Sequence, residues 1–321
     1  MITQAIKMAG ALPEHEKAVK GIYDTVGLMF EKGGIEELTE GRFQGDPLRS
    51  YEYAQILQQN HLIELAGLKP NDSFLDIGCG HGVLLNQAKK QGIIGTGITL
   101  SERQIRDHKD LDTHLLNWRD IQQKKPEWEG RFDAITAIGS LEHYVSPEEA
   151  ANNMSGEIYK SFLEVAKWLL KPGGKLVVTA IHYLPELILK PELATNLFLK
   201  PWKYFSGQFH LGTLAWLGGA YYPTIGELPP IAKDLGFNLS LEEDGTQDYY
   251  FTSEEWMRRS RRVLLTTNFI KTLLLEKSKK FPSHAKYGLF CLFLFQSWNW
   301  QFRPKNGQAP TKLLRYVWEK R

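Results

Sequence analysis

Cysteine is nearly absent. Cys79 and Cys291 are the only two in 321 residues, too few for a disulfide framework and without any spacing that suits a metal. The nine histidines are scattered and form no HxH or HExxH string, so the sequence predicts no metal-dependent chemistry. Long apolar runs are missing as well: the longest, GLFCLFLF at residues 288–295, falls far short of the ~20 residues that cross a bilayer. The first twenty residues lack the continuous apolar core that a signal peptide carries. Repeats and low-complexity tracts are also absent. Together these absences predict a cytoplasmic protein without disulfides or metal.

Acidic residues are scarce in one region. The net charge is +2, yet from Trp256 to Arg321 fifteen Lys and Arg face only Glu276 and Glu319, while the rest of the chain carries 24 basic and 35 acidic residues. Such a tail either meets an anionic partner or is a solvated face that offsets the acidic body. The expected partner is an anionic membrane surface touched peripherally, not nucleic acid. Hydrophobic residues at 42% and charged residues at 24% fit a folded domain. The length suits one large α/β domain with insertions.

The most informative stretch is SFLDIGCGHG, residues 73–82. A short apolar strand containing Phe74, Leu75 and Ile77 ends near Asp76 and runs into Gly78, Gly80 and Gly82, followed by the helical VLLNQAKKQ. Alternate glycines permit a tight turn and a close ligand approach. The helix after them directs unsatisfied N–H groups at whatever is bound. This arrangement suits a nucleoside-like cofactor. A dinucleotide fingerprint would need a sixth-position glycine and an acid at the end of the next strand. Val83 and Thr99 stand there instead, which weakens a nicotinamide reading.

From Ser73 onward strands and helices alternate, the pattern of a parallel sheet covered on both faces. Strands are expected at SFLDI, IIGTGI, THLLN, FDAITAI and KLVVTAI, with helices near 83–91, 101–109 and 153–170, the second capped by Ser101. A further helix and strand are expected within residues 227–244, and a terminal strand at TKLLRYVWEK. The fold class is therefore α/β: a doubly wound, mostly parallel, seven-stranded Rossmann-like sheet. Residues 1–72 are expected to form an N-terminal helical flank or lid, and residues 73–321 the cofactor domain. Insertions at about 182–225 and 247–311 would wall the substrate site, since long segments beyond strand ends commonly do so.

Four separated strings, LDIGCGHG (75–82), GITLSERQ (97–104), LLNWRD (115–120) and FDAITAIGSLEHY (132–144), together resemble the cyclopropane fatty acid synthase and mycolic acid cyclopropane synthase branch of class I S-adenosylmethionine (SAM) methyltransferases. The resemblance covers residues 50–182 well and 220–256 more loosely. It implies SAM as cofactor, with Gly78, Gly80 and Gly82 against its methionine portion and Asp76 facing its ammonium. Thr99 and Gln104 would contact the ribose and adenine edge. Leu100 and Trp118 would sandwich the adenine with Arg119 beside it, and Tyr51 would lie near the SAM carboxylate.

The same resemblance implies an incomplete catalytic pocket. Family synthases hold a bicarbonate base with a Cys, a Glu, a His and a Tyr. Glu142 matches the Glu and Tyr249 the Tyr, with Thr252 and Trp256 in register, but Tyr53 stands at the Cys position and Thr179 at the His position. Ring closure through bicarbonate is therefore in doubt. Alkene methylation, with Glu142 and Tyr249 near the developing cation, remains open. An amine, hydroxyl or activated-carbon acceptor would need a base, for which His143 and His182 are candidates. The expected function is methyl transfer to an apolar or amphiphilic small molecule such as an unsaturated lipid or isoprenoid. The alternatives are N- or O-methylation of a natural product, or a non-catalytic binding module on the same fold.

Overall fold

A computed structural model describes residues 15–16, 19–21, 23, 33–35, 37–107, 110–190, 207–264, 295–304 and 308–321. Much of the expected N-terminal helical flank, Cys291, residues 288–294 of the apolar run and half of the basic tail, residues 265–294 and 305–307, lie outside these residues.

Helix α1 (Tyr51–Ala66) begins where the Ser50 side chain accepts the Tyr53 N–H and ends at Gly67, whose left-handed φ of 67° lets its N–H return to Glu64 and Ile63. Then β1 (Ser73–Ile77), α2 (Val83–Lys90), β2 (Ile94–Thr99), α3 (Glu102–Asp107), β3 (Asp112–Leu115) and β4 (Phe132–Ile138) alternate. They are followed by α4 (Ser155–Leu169), β5 (Leu170–Tyr183), α5 (Gly207–Gly218), α6 (Leu228–Asp234), β6 (Phe237–Asp244), α7 (Thr246–Leu264) and β7 (Thr311–Lys320). The sheet order is β3-β2-β1-β4-β5-β7-β6. Strands β1 to β5 pair in parallel, and β7 runs antiparallel to both β5 and β6. The seven-stranded, mostly parallel sheet predicted from the sequence is the sheet observed.

The apolar strand runs are buried on both faces. Phe74, Leu75, Ala134, Ile135, Leu176, Val177 and Val178 are fully buried, and truncating Leu75, Ile135 or Leu176 to Ala costs about 2–5 kcal/mol. Helix α4 supplies the facing ridge with Ile158, Tyr159, Phe162, Leu163 and Leu169. Two expectations shift locally. The strand predicted to run through Asn117 stops at Leu115, because the Asn117 side chain turns back to accept the Arg119 N–H and caps a 3-10 turn, Trp118–Asp120. The KPGGK turn is absorbed into β5, with a register shift where Phe132 pairs with Leu170 but Ala134 with Lys175.

Strand order reverses between β1 and β4, which opens a crevice at their carboxyl ends. The glycine loop emerges there. No helix among the described residues is long and apolar enough to cross a membrane.

Candidate functional site

Gly78, Gly80 and Gly82 adopt φ of 86°, 51° and 70°, a region that side chains with a Cβ rarely enter. At Gly78 close approach matters as well, since a Cβ there would stand 2.7 Å from the Ser140 Cβ. The loop is tied down by the Gly78 and Cys79 N–H groups, which donate to the Ile98 carbonyl at 2.9 and 3.0 Å. Above it lies an open cleft whose space, open solvent included, is about 1040 Å³.

Of the residues proposed from sequence for the cofactor, Gly78, Gly80, Thr99, Leu100, Gln104, Trp118 and Arg119 line this cleft. Thr99 Oγ1 donates to Gln104 Oε1 at 2.6 Å, and the Ser101 side chain accepts the Gln104 N–H at 3.3 Å. This makes a neutral polar corner at the end of β2. Trp118 is buried, tilted on Tyr144 at 5.1 Å and edge-on to Phe162 at 5.7 Å. The Arg119 guanidinium donates to the Tyr144 carbonyl at 2.8 Å and pairs with Glu149 at 3.1 Å, so its charge is already matched.

Gly82 caps α2 one step behind the lining. Asp76 is buried beneath the loop, its Oδ1 accepting the Thr136 hydroxyl at 2.8 Å, and burial pushes its carboxyl up to about 7. Tyr51 does not line the cleft: its hydroxyl donates to the Glu37 carbonyl at 3.2 Å and accepts the Trp256 indole N–H at 3.0 Å.

Sequence reading missed the wall opposite. Glu37, Leu38 and Thr39 lie over the glycine loop, and His15 and Tyr23 close the side nearest His143. Tyr23 Oη is 2.8 Å from His143 Nε2, and His15 Nε2 is 2.9 Å from the His143 carbonyl. Beyond the expected N-terminal flank or lid, the hint in the sequence was three acids, Glu36, Glu37 and Glu40, around an apolar Leu38 in a stretch punctuated by glycines. Nothing in that spacing ties it to a loop forty residues later.

The proposed catalytic residues divide. His143 lines the cleft. Glu142, on the same 3-10 turn, is buried, and its Oε1 accepts the Ile181 N–H at 2.7 Å. Its Oε2 has no hydrogen-bond partner among the described residues, and burial pushes the carboxyl up to about 7. Tyr249 is buried, stacked on Phe302 at 4.3 Å and edge-on to Trp256 at 5.7 Å. The Glu142 charge reaches Tyr23, Tyr222 and Tyr249 and helps to raise their hydroxyls, after desolvation.

His182 is not brought to the cleft. Its ring Nδ1 is 2.8 Å from the Ala180 carbonyl, its edge packs on Tyr316, and burial lowers it to about 4. Thr179 is buried two residues before Ile181. Tyr53 is 53% exposed and cannot complete a buried pocket with Glu142. Among the described residues no His, Cys, Asp and Glu group is arranged to hold a metal.

These residues fit an adenosyl cofactor: a glycine cradle that a Cβ would fill, a neutral polar corner, and an aromatic face with Leu100 near it. Comparison with known proteins agrees. The family model of mycolic acid cyclopropane synthetase matches residues 42–265. Cyclopropane mycolic acid synthase 3 of Mycobacterium tuberculosis (strain CDC 1551 / Oshkosh) is 24% identical over 259 residues, covering 79% of this chain and 83% of its own length. The solved structure of a Mycobacterium tuberculosis cyclopropane synthase is similar with a TM-score of 0.71 at 20% identity, covering 97% of this chain and 100% of that one. Geranyl diphosphate C-methyltransferase from Streptomyces coelicolor A3(2) is similar with a TM-score of 0.56 at 15% identity, covering 98% and 100%. At such identities the two structures speak for a shared fold. Because the family match runs from the segment beside α1 to helix α7 and takes in the whole glycine loop, the chain belongs to the mycolic acid cyclopropane synthetase family and is a SAM-dependent methyltransferase.

Proposed function

We propose that this enzyme transfers a methyl group to carbon in a hydrophobic or amphiphilic small molecule, and that the methyl group is kept rather than closed into a ring. The observation that carries this reading is Glu142, a buried carboxylate with one oxygen uncommitted among the described residues, whose field reaches the aromatic hydroxyls of Tyr23, Tyr222 and Tyr249. The relatives add support, since the names of two of them describe a mycolic acid cyclopropane synthase and a geranyl diphosphate C-methyltransferase.

SAM, when bound, supplies an electrophilic methyl group on a positively charged sulfur. Gly78 and Gly80 would lie against its methionine end with Asp76 behind them, Thr99 and Gln104 would take its ribose hydroxyls, and Leu100 and Trp118 would hold the adenine. Packed walls exclude water and align the acceptor, which is much of the catalysis such a reaction needs. The faces of Tyr249, Phe302 and Trp256 suit a greasy acceptor and stabilise positive charge that develops on it.

Glu142, with its carboxyl near neutrality, is placed to take the proton that a methylated carbon sheds. His143, held by Tyr23, is the second proton acceptor on the cleft side. His182 takes a packing role in this reading. With Tyr53 and Thr179 at the positions where the resembling synthases hold Cys and His, the bicarbonate pocket is incomplete, which favours a retained methyl group.

The test is incubation with methyl-labelled SAM and a lipid and metabolite extract, followed by structure determination of labelled products. Label on carbon of a hydrophobic product with an intact methyl group is expected. Label on nitrogen or oxygen of a polar compound, or in a cyclopropane, would overturn the reading.

A further inference from the structure

The glycine-loop end of the cofactor cleft is acidic, and the cations among the described residues do not neutralise it. Glu37 lines the cleft beside Gly78 and Gly80, with its Oε1 3.9 Å from where a Cβ on Gly80 would stand. That oxygen accepts the Leu38 N–H at 2.8 Å. Asp76 lies under the same loop. Neither carboxylate has a cationic partner among the described residues: the charges that act on Glu37 are those of Asp76 and Glu40, and Asp76 is eased only by the Thr136 hydroxyl. Two cations on the cleft wall are engaged elsewhere, Lys20 with Glu102 at 3.4 Å and Arg119 with Glu149 at 3.1 Å.

Glu37 is also fixed in place. Its carbonyl accepts the Tyr51 hydroxyl, which itself accepts the Trp256 indole N–H. Tyr51 and Trp256 come from helices α1 and α7, so two helices hold one residue of the N-terminal segment over the loop. Confined carboxylates without a counter-ion raise each other's energy, and a ligand that brings a cation to that spot relieves both.

We propose that Glu37, together with Asp76, forms the ammonium-recognising end of the cleft and so selects adenosyl ligands that carry an α-amino group over those that lack one. Glu37 lies before residues 42–265, the stretch that the family match covers, whereas Asp76 lies within it. The inference rests on the methyltransferase reading above. Desolvation, with Asp76 and Glu40 adding to it, pushes the Glu37 carboxyl up to about 8. A bound ammonium favours the ionised form, so binding near neutral pH must release protons. The titratable groups that face Glu37 are Asp76, Glu40, Tyr23, Tyr51 and Cys79, and none of them supplies positive charge.

The experiment is calorimetry at pH 7.5 with two probes: S-adenosylhomocysteine, and 5′-methylthioadenosine, which keeps the adenosine and thioether but has no amino-acid end. Glu37→Gln is expected to weaken S-adenosylhomocysteine roughly 10-fold or more, the effect of losing a charge-assisted hydrogen bond, and to leave methylthioadenosine within about 2-fold. Wild type should also release protons on binding S-adenosylhomocysteine, read from buffers of different ionisation heat, and Glu37→Gln should release fewer. Unchanged S-adenosylhomocysteine affinity, or equal loss of both ligands, would overturn the proposal. A wild-type protein that binds neither probe would instead overturn the cofactor assignment itself.

Discussion

The two halves of the site are built differently. The cofactor half stands on the carboxyl ends of β1, β2 and β4, where backbone geometry fixes the contacts: three left-handed glycines, two N–H groups on the Ile98 carbonyl, and the Thr99–Gln104 pair. The proposed acceptor half draws on distant parts of the chain. Glu142 follows β4, Tyr249 sits in α7, Phe302 precedes β7, and Tyr23 comes from the N-terminal segment. One half is a local device that tolerates little substitution. The other depends on burial and on Glu142, whose Oε2 has no hydrogen-bond partner among the described residues, so its residues should be separable by mutation.

The sharpest way to break that contrast is Gly78→Ala. A left-handed φ of 86° and a Cβ 2.7 Å from the Ser140 Cβ combine strain with a clash. The expected loss in S-adenosylhomocysteine affinity is at least ~100-fold, the equivalent of about 3 kcal/mol. Gly226→Ala is the matched control: its φ is 84°, but nothing lies within 4 Å of the added Cβ. Calorimetry that found Gly78→Ala no weaker than Gly226→Ala would remove the loop from the site.

That contrast also decides what was legible in the sequence. Local devices leave local marks. The glycines at 78, 80 and 82, the apolar strand before them and the strand and helix alternation after them predicted the sheet, and seven of the residues proposed for the cofactor do line the cleft. Glu37 and Tyr23 left little mark, because what sets them apart is tertiary: a carboxylate with no cationic partner among the described residues and a hydrogen bond to His143 120 residues away. Tyr51 was noticed for its motif, yet acts through its hydroxyl on the Glu37 backbone. His182 drew attention as a histidine near a strand end. Its ring instead meets the Ala180 carbonyl and packs edge-on to Tyr316.

In the acceptor half, Glu142→Gln keeps the bond from Ile181 N–H but cannot take a proton. Turnover from labelled SAM is expected to fall roughly 10²–10³-fold, with S-adenosylhomocysteine affinity changed by no more than about 2-fold. A variant that lost both together would mean that the halves are not separable. Tyr23→Phe removes only the hydroxyl facing His143 Nε2 at 2.8 Å. A smaller loss, about 10-fold in turnover, is expected, and an unchanged rate would leave Tyr23 as a packing residue.

The smallest effect concerns stability, and it joins the halves again. Glu37, Asp76 and Glu142 have carboxyls raised by burial to about 8, 7 and 7, well above their values in an unfolded chain. Between those limits the native state holds more protons than the unfolded state, so stability falls as pH rises. His182, lowered to about 4, works in the opposite direction, but only up to its ordinary value near 6.5. Glu243, lowered to about 2 by its His61 hydrogen bond and by the Arg315 and Arg42 charges, already contributes fully above about 4.5. The window from pH 6.5 to 8 therefore belongs to the buried acids. The protein without S-adenosylhomocysteine should melt a few degrees lower at pH 8 than at pH 6.5, a shift on the order of what 1–2 kcal/mol produces. Glu37→Gln should flatten that slope, since Glu37 is the acid still titrating at pH 8. Glu142→Gln should flatten it only in its lower part, and melting curves that kept the same slope in both variants would show that neither carboxyl changes its proton between the folded and unfolded states.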